Sequence, residues 1–97
     1  MVHHIVLWNL KEGMSEDEKR EAKAEIKEKL ETVKEQVKGV VSLEVIIDGM
    51  ESSNKEVGLI SVFESKEALE AYQIHPAHVQ AGTYIRSVTC DRACLDY

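Results

Sequence analysis

The sequence predicts an α+β fold of the ferredoxin-like type, with the element order β-α-β-β-α-β and a four-stranded antiparallel sheet. Three observations predict it. Four stretches rich in β-branched and aromatic residues begin near residues 2, 40, 57 and 87. One long capped helical pattern separates the first two, and a second helical region, broken by the only proline, separates the last two. The strands carry large apolar residues on both faces, whereas a sheet with one solvated face shows polar residues there. Helices can cover one face. The economical cover for the other is a second copy of the chain, giving a homodimeric α+β barrel with a two-fold interface.

The elements follow in order. Val2 to Leu10 alternate so that Val2, His4, Val6, Trp8 and Leu10 share one face and His3, Ile5, Leu7 and Asn9 the other. Ser15 to Lys38 read as one helix. Ser15-Glu-Asp-Glu18 forms a capping box, in which the serine oxygen accepts from the third helical amide and Glu18 reaches back. Ala22, Ile26, Leu30, Val33 and Val37 make one apolar stripe. The rest of that helix alternates Glu and Lys, which is a solvated face. Gly39 is placed to stop it at the position after the cap.

Val40 to Asp48 read as the second strand, with Val41, Leu43, Val45 and Ile47 on one face. A polar loop covers residues 49–56, and Val57 to Phe63 form the third strand. Ser65 caps a short helix carrying Ala68, Leu69 and Tyr72. His75-Pro76 breaks it, because a residue before proline is pushed out of the α region. Pro76 then starts a further short helix, ending near Tyr84 or Ile85. Ser87 to Tyr97 read as the last strand.

The chain has 97 residues, 43% of them apolar and 31% charged, a globular composition that favours one domain over residues 1–97. So small a domain has little core for its surface, which also favours a dimer. The net charge of -6, with Lys and Arg interleaved among acids, argues against nucleic-acid binding and against anionic membranes. No apolar run approaches the roughly 20 residues of a membrane span, and no secretory signal pattern opens the chain, so the expected location is cytoplasmic. Cys90 and Cys94 would share one face of the last strand about 13 Å apart, too far for a disulfide. Reduced thiols, packed as small core hydrophobes, are expected.

Chemistry concentrates in Tyr72-Gln-Ile-His75-Pro76-Ala-His78-Val79. His78 can move a proton near neutral pH, and the Tyr72 hydroxyl can donate to a carbonyl. Together they would suit deprotonation beside a carbonyl, with the enolate held by Tyr72. The structural alternative is a hydrogen-bond network that fixes the helix break, with Tyr72 packed on the core. His75 stands at the N-cap of the second short helix, where its imidazole can serve a free backbone N–H or a ligand. His4, with Val6 and Trp8, would place a polar group on an otherwise apolar pocket wall, the usual make-up of a small-molecule site, or would be a satisfied core histidine. His75 and His78 have no neighbouring carboxylate or thiolate to complete a zinc set, so no metal is expected. There is no Gly-rich phosphate loop, no serine nucleophile motif and no Cys-x-x-Cys, so neither a nucleotide cofactor nor covalent catalysis is expected.

The opening Val2-His-His-Ile-Val-Leu-Trp8, Gly39-Val-Val-Ser-Leu-Glu-Val45, Val62-Phe-Glu-Ser65, the Tyr72–Val79 segment and the final Asp96-Tyr97 resemble the stress-responsive dimeric α/β-barrel (Dabb) family over essentially the whole chain. The resemblance implies a small homodimeric barrel. It includes plant members linked to stress and a polyketide cyclase, olivetolic acid cyclase, which closes a linear polyketide by aldol condensation. That cyclase shares the Tyr-x-Ile-His-Pro-Ala-His-Val segment, and its catalytic tyrosine and histidine fall on Tyr72 and His78. A pocket histidine of its first strand falls on His4. Another, on its third strand, falls on Val57, where this chain departs from the pattern. The resemblance therefore points to a homodimer that binds a small apolar ligand in each protomer, or alternatively to a cofactor-free cyclase or isomerase.

Overall fold

A computed structural model describes residues 1–97. The elements are β1 (Val2–Leu10), α1 (Glu16–Gln36), β2 (Val40–Ile46), β3 (Val57–Phe63), α2 (Lys66–Ile74), α3 (Pro76–Val88) and β4 (Thr89–Asp96). The strands form one antiparallel sheet in the order β2-β3-β1-β4, the ferredoxin-like arrangement expected from the sequence. Its two central strands, β3 and β1, pair through Val2–Phe63 at one end and Trp8–Val57 at the other.

Local chemistry accounts for the helix ends. Glu18 N–H donates to Ser15 Oγ at 3.1 Å and Ser15 N–H to Glu18 Oε1 at 3.0 Å, so the capping box is complete. Ser65 Oγ accepts from Ala68 N–H at the start of α2. α1 ends at Gln36, two residues short of the expected end, because Val37 is already extended. Gly39 has another use. Its φ is +86°, and an added Cβ would lie 2.7 Å from the Ala68 Cβ. Only glycine both turns the chain into β2 and lets α2 approach.

The helices cover one face of the sheet. Val6, Trp8 and Leu10 of β1, Leu43 and Val45 of β2, and Leu59 and Phe63 of β3 meet Ile26, Leu30 and Val33 of α1 in one core. The opposite face holds Ile5, Leu7, Ile46, Ile60, Val62 and Leu95, with no element of the chain over it. No helix is long and apolar enough to cross a membrane.

The C-terminal third departs most from expectation. α3 runs on to Val88, and β4 starts only at Thr89. β4 then carries a bulge: Leu7 opposes Ala93 while Asn9 opposes Cys90, and Asp91 takes a φ of 53°. The extra residue reverses the alternation. Cys90, opposite Asn9, therefore faces the open side, and Cys94, opposite Val6, faces the helix side. The expectation that they share a face is corrected. Neither is buried, so they are not core hydrophobes either. A smaller bulge in β2 puts Val41 out of the pairing and leaves it exposed, while Leu43 and Val45 keep their inward places.

Candidate functional site

The site begins at the helix break. His75 is extended (φ -64°, ψ 135°) and serves both helices. Its N–H donates to the Tyr72 carbonyl at the end of α2, and its Nδ1 accepts from Ala77 N–H at 3.1 Å at the start of α3. Pro76 fills the first helical position, where no amide is needed. His75 is thus occupied as a cap and does not line the cavity described below; it drops out of the ligand-contacting set expected from the sequence.

The break brings Tyr72, near the end of α2, against His78, in the first turn of α3, with ring centroids 4.4 Å apart. Tyr72 also packs on Phe63 at 4.9 Å. It is fully buried, and its hydroxyl has no hydrogen-bond partner. Burial pushes its pKa up, so it is a protonated donor at neutral pH. His78 Nδ1–H donates to the Gln73 carbonyl at 3.2 Å, which leaves Nε2 as an acceptor. Burial holds the His78 pKa below its ordinary value, against the Gln73 hydrogen bond; the charges of His4, Arg86 and Arg92 push the same way as burial. A neutral imidazole with a free Nε2 can act as a base.

His4 approaches from β1. It is 3% exposed, and its Nδ1 is hydrogen-bonded to Asp96 Oδ1 of β4. This contact holds the Asp96 carboxyl below its usual range. It also fixes the ring, leaving Nε2 as the nitrogen not engaged by Asp96. The His4 ring stands edge-on to both Phe63 (6.2 Å) and Tyr72 (6.4 Å). Its own carbonyl accepts from the buried Ser61 hydroxyl at 2.7 Å.

Between β1, α1 and α3 lies a cavity of about 220 Å³. Val6, Trp8, Leu30, Leu59 and Ile85 supply its apolar wall. His4, His78 and Gln73 supply polar groups, and Gly82, Arg86 and Arg92 complete the lining. Of the residues singled out in the sequence, His4, Val6, Trp8 and His78 thus meet in one cavity. Tyr72 lies behind His78 and is not part of the wall.

Asp96, Gln73, Arg86 and Arg92 went unassigned in the sequence. One signal was present: His78, Gly82 and Arg86 recur every four residues, hence on one face of α3. No such signal existed for Asp96 and Arg92, whose placement depends on the pairing of β4 with β1.

His75 Nδ1 and His78 Nδ1 are both engaged by backbone groups. A different set is closer to a metal site: ligand atoms of His4, Cys94 and Asp96 lie within 4.8 Å of one another. Cys94 Sγ is 4.0 Å from His4 Nδ1 and 3.6 Å from Asp96 Oδ1. Burial, with Asp96 alongside, raises the Cys94 pKa, which disfavours the thiolate that a metal needs. The His4–Asp96 hydrogen bond satisfies both groups without an ion.

The same fold recurs in solved structures. A dimeric ferredoxin-like protein of unknown function from Bacteroides fragilis is 29% identical, with a TM-score of 0.91 over 99% of this chain and 93% of that one. A protein from Arabidopsis thaliana is 25% identical, with a TM-score of 0.78 over 100% of this chain and 93% of that one. A hydroxynitrile lyase from Passiflora edulis shares the fold at 14% identity, with a TM-score of 0.80 over 99% of this chain and 90% of that one. No curated protein sequence matches the chain. The sequence profile of the stress responsive A/B barrel domain, Dabb, matches residues 2–97. With that profile spanning nearly the whole chain, the chain belongs to the stress responsive A/B barrel domain family.

Proposed function

We propose that residues 1–97 act as one domain that forms a homodimer and binds a small, mainly apolar ligand in each protomer. The cavity carries this reading: an apolar wall of five side chains with His4 and His78 on it. Its volume of about 220 Å³ is below the roughly 300 Å³ at which drug-sized sites begin, so the ligand is a small metabolite. The dimer reading rests on the uncovered apolar face and on a 29% identical relative that is dimeric. Because the cavity lies on the helix side, pairing through the open face leaves each protomer its own site. Two free thiols fit a cytoplasmic location.

Trp8 is the only tryptophan and stands in the cavity wall, so its fluorescence reports occupancy. Native mass spectrometry of the protein purified from cells should show a dimer carrying up to two copies of a small molecule. A clean apo dimer whose Trp8 emission is unmoved by a library of small metabolites sinks the ligand reading. A monomer at micromolar concentration by light scattering sinks the dimer.

A second reading is cofactor-free enolisation or aldol closure with His78 as base and Tyr72 as donor. It is favoured by the buried Tyr72 hydroxyl that lacks a partner beside a histidine with a free Nε2. In such a step Nε2 takes the proton from the carbon next to a carbonyl, and the Tyr72 O–H, which does not line the cavity as it stands, would have to be opened to it by a shift of His78 to hydrogen bond to the enolate oxygen. The resemblance to olivetolic acid cyclase is incomplete, because Val57 is a buried core residue paired with Trp8. Deuterium exchange of α-protons in small ketones, followed by NMR, tests it. Wild-type exchange no faster than that of His78→Ala ends the enzyme reading.

A further inference from the structure

Two of the chain's three arginines, Arg86 and Arg92, line the one cavity that also contains His4, His78 and Trp8. The third, Arg20, is paired with Asp17 at 2.8 Å on the exposed side of α1. Arg86 and Arg92 make no salt bridge, although acids outnumber bases 18 to 12 in the chain. No Asp or Glu lines the cavity. The nearest acid to be considered, Asp96, is engaged by His4, although Arg92 is close enough to help lower its pKa. Arg86 has one polar contact, to Thr83 Oγ1 at 3.5 Å, which is long for a hydrogen bond. Gly82 gives its guanidinium room to lie along α3, since an added Cβ would stand 3.1 Å from Arg86 Nη1.

Two unpaired guanidiniums, arriving from α3 and from the bulge of β4, thus stand at a cavity whose wall is otherwise apolar. Guanidinium forks recognise planar anions by paired, charge-assisted hydrogen bonds, here at the exposed mouth of the cavity. From this we propose that the ligand is a small monocarboxylic acid, its hydrocarbon part against Trp8, Leu30, Leu59 and Ile85 and its carboxylate between Arg86 and Arg92. The inference rests on the ligand-binding reading above and names the class of molecule. The negative charge of the rest of the surface disfavours the approach of anions in general, so selectivity comes from the cavity and not from the field of the whole protein.

The test compares hexanoate, 1-hexanol and hexyl phosphate by Trp8 fluorescence and NMR titration at low salt, with inorganic phosphate as a control. Hexanoate should bind about tenfold more tightly than 1-hexanol, the worth of one charge-assisted contact pair. Arg86→Gln and Arg92→Gln should each remove most of that advantage while leaving the affinity for 1-hexanol unchanged. Both side chains are exposed, so neither change disturbs the core. Equal binding of acid and alcohol, or an equal fall for both in the variants, overturns the carboxylate proposal and leaves the ligand-binding reading standing. Tighter binding of hexyl phosphate than of hexanoate, or competition by inorganic phosphate alone, also overturns it in favour of a phosphate. Failure of all the hexyl probes to bind removes both readings.

Discussion

On the helix-covered side of the sheet, Val6, Leu59 and Phe63 are each 2% exposed or less, whereas on the open side Ile60 and Leu95 are 41% and 62% exposed. One four-stranded sheet supplies both faces, and alternation, reset by the bulges in β2 and β4, decides which residue falls where. The covered face holds the core, the buried His4 and Ser61, and the cavity wall. The open face holds uncovered apolar side chains, with His3 and Glu44 among them and a groove where Leu7, Ile46 and Ile60 meet the 49–56 loop. One face thus carries the core and the candidate site, and the other is the face assigned above to the proposed dimer contact. A monomer that left the second face in water would forgo about 25 cal/mol for each Å² of apolar surface it could bury against a copy.

The comparison predicts a graded set of losses. Phe63→Ala should be the most damaging, because it empties a fully buried position that Tyr72 and His4 both pack against. Its cost should be about 3–5 kcal/mol, read as a lower urea midpoint at fixed protein concentration. Ile60→Glu, on the open face, should leave the secondary structure intact and disrupt association. A carboxylate buried without a partner should weaken the dimer by at least about 100-fold, read by sedimentation as a monomer at micromolar concentration. If Ile60→Glu remained a dimer while unfolding earlier, the division of labour between the faces would be wrong.

The rim between the two faces gives a smaller effect with a pH signature. Asp96 is partly exposed and holds His4 in place. Its pKa is lowered on folding, chiefly by the His4 hydrogen bond. The resulting stability is fully present above the unfolded Asp value of about 3.9 and is lost as pH falls through the lower folded value. Screening by solvent keeps it to about 1 kcal/mol or less. Asp96→Asn should therefore lower the urea midpoint slightly at pH 6 and converge with wild type in acid, once pH has fallen below the lowered folded value, with a flatter profile between. Parallel profiles would show that the His4–Asp96 pairing adds nothing to the fold.

Much of this was legible in the residues. A strict period of two along Val2–Leu10 placed His4, Val6 and Trp8 together, and the Ser15 capping box and the Ala22–Val33 stripe fixed α1 and its inward face. The helix break at His75-Pro76 was equally plain, because proline acts on its neighbours without help from the rest of the chain. What stayed hidden depends on partners far along the sequence. The bulge at Asp91 reverses the alternation of β4, and no glycine or proline marks it. With the alternation misplaced, Cys90 could not be assigned to its face. The pairing of Asp96 with His4 spans 92 residues and cannot be read from spacing. The N-cap place of His75 was legible from its proline neighbour, and the Ala77 amide on its Nδ1 occupies the ring that the ligand alternative needed.

Tyr72→Phe is the mildest change and separates the two functional readings most cleanly. It removes a single oxygen that is buried and has no partner. A polar group left unpaired in the interior is unfavourable by about 1–3 kcal/mol, less where water or a ligand reaches it. Deleting it should leave stability unchanged or raise it by a few tenths to about 1 kcal/mol, since the ring and its contacts with Phe63 and His78 remain. If the cavity only binds its ligand, Tyr72→Phe should keep the ligand affinity of wild type, because Tyr72 does not form the wall. If His78 and Tyr72 perform enolisation, the same variant should retain binding and lose at least about tenfold in α-proton exchange, the worth of one hydrogen bond made to the developing oxyanion. A stabilised variant with unchanged exchange would identify the hydroxyl as a packing defect tolerated beside the helix break. A stabilised variant with lost exchange would show stability given up at this position for chemistry, the pattern expected when a buried donor waits for an acceptor that arrives only with the substrate.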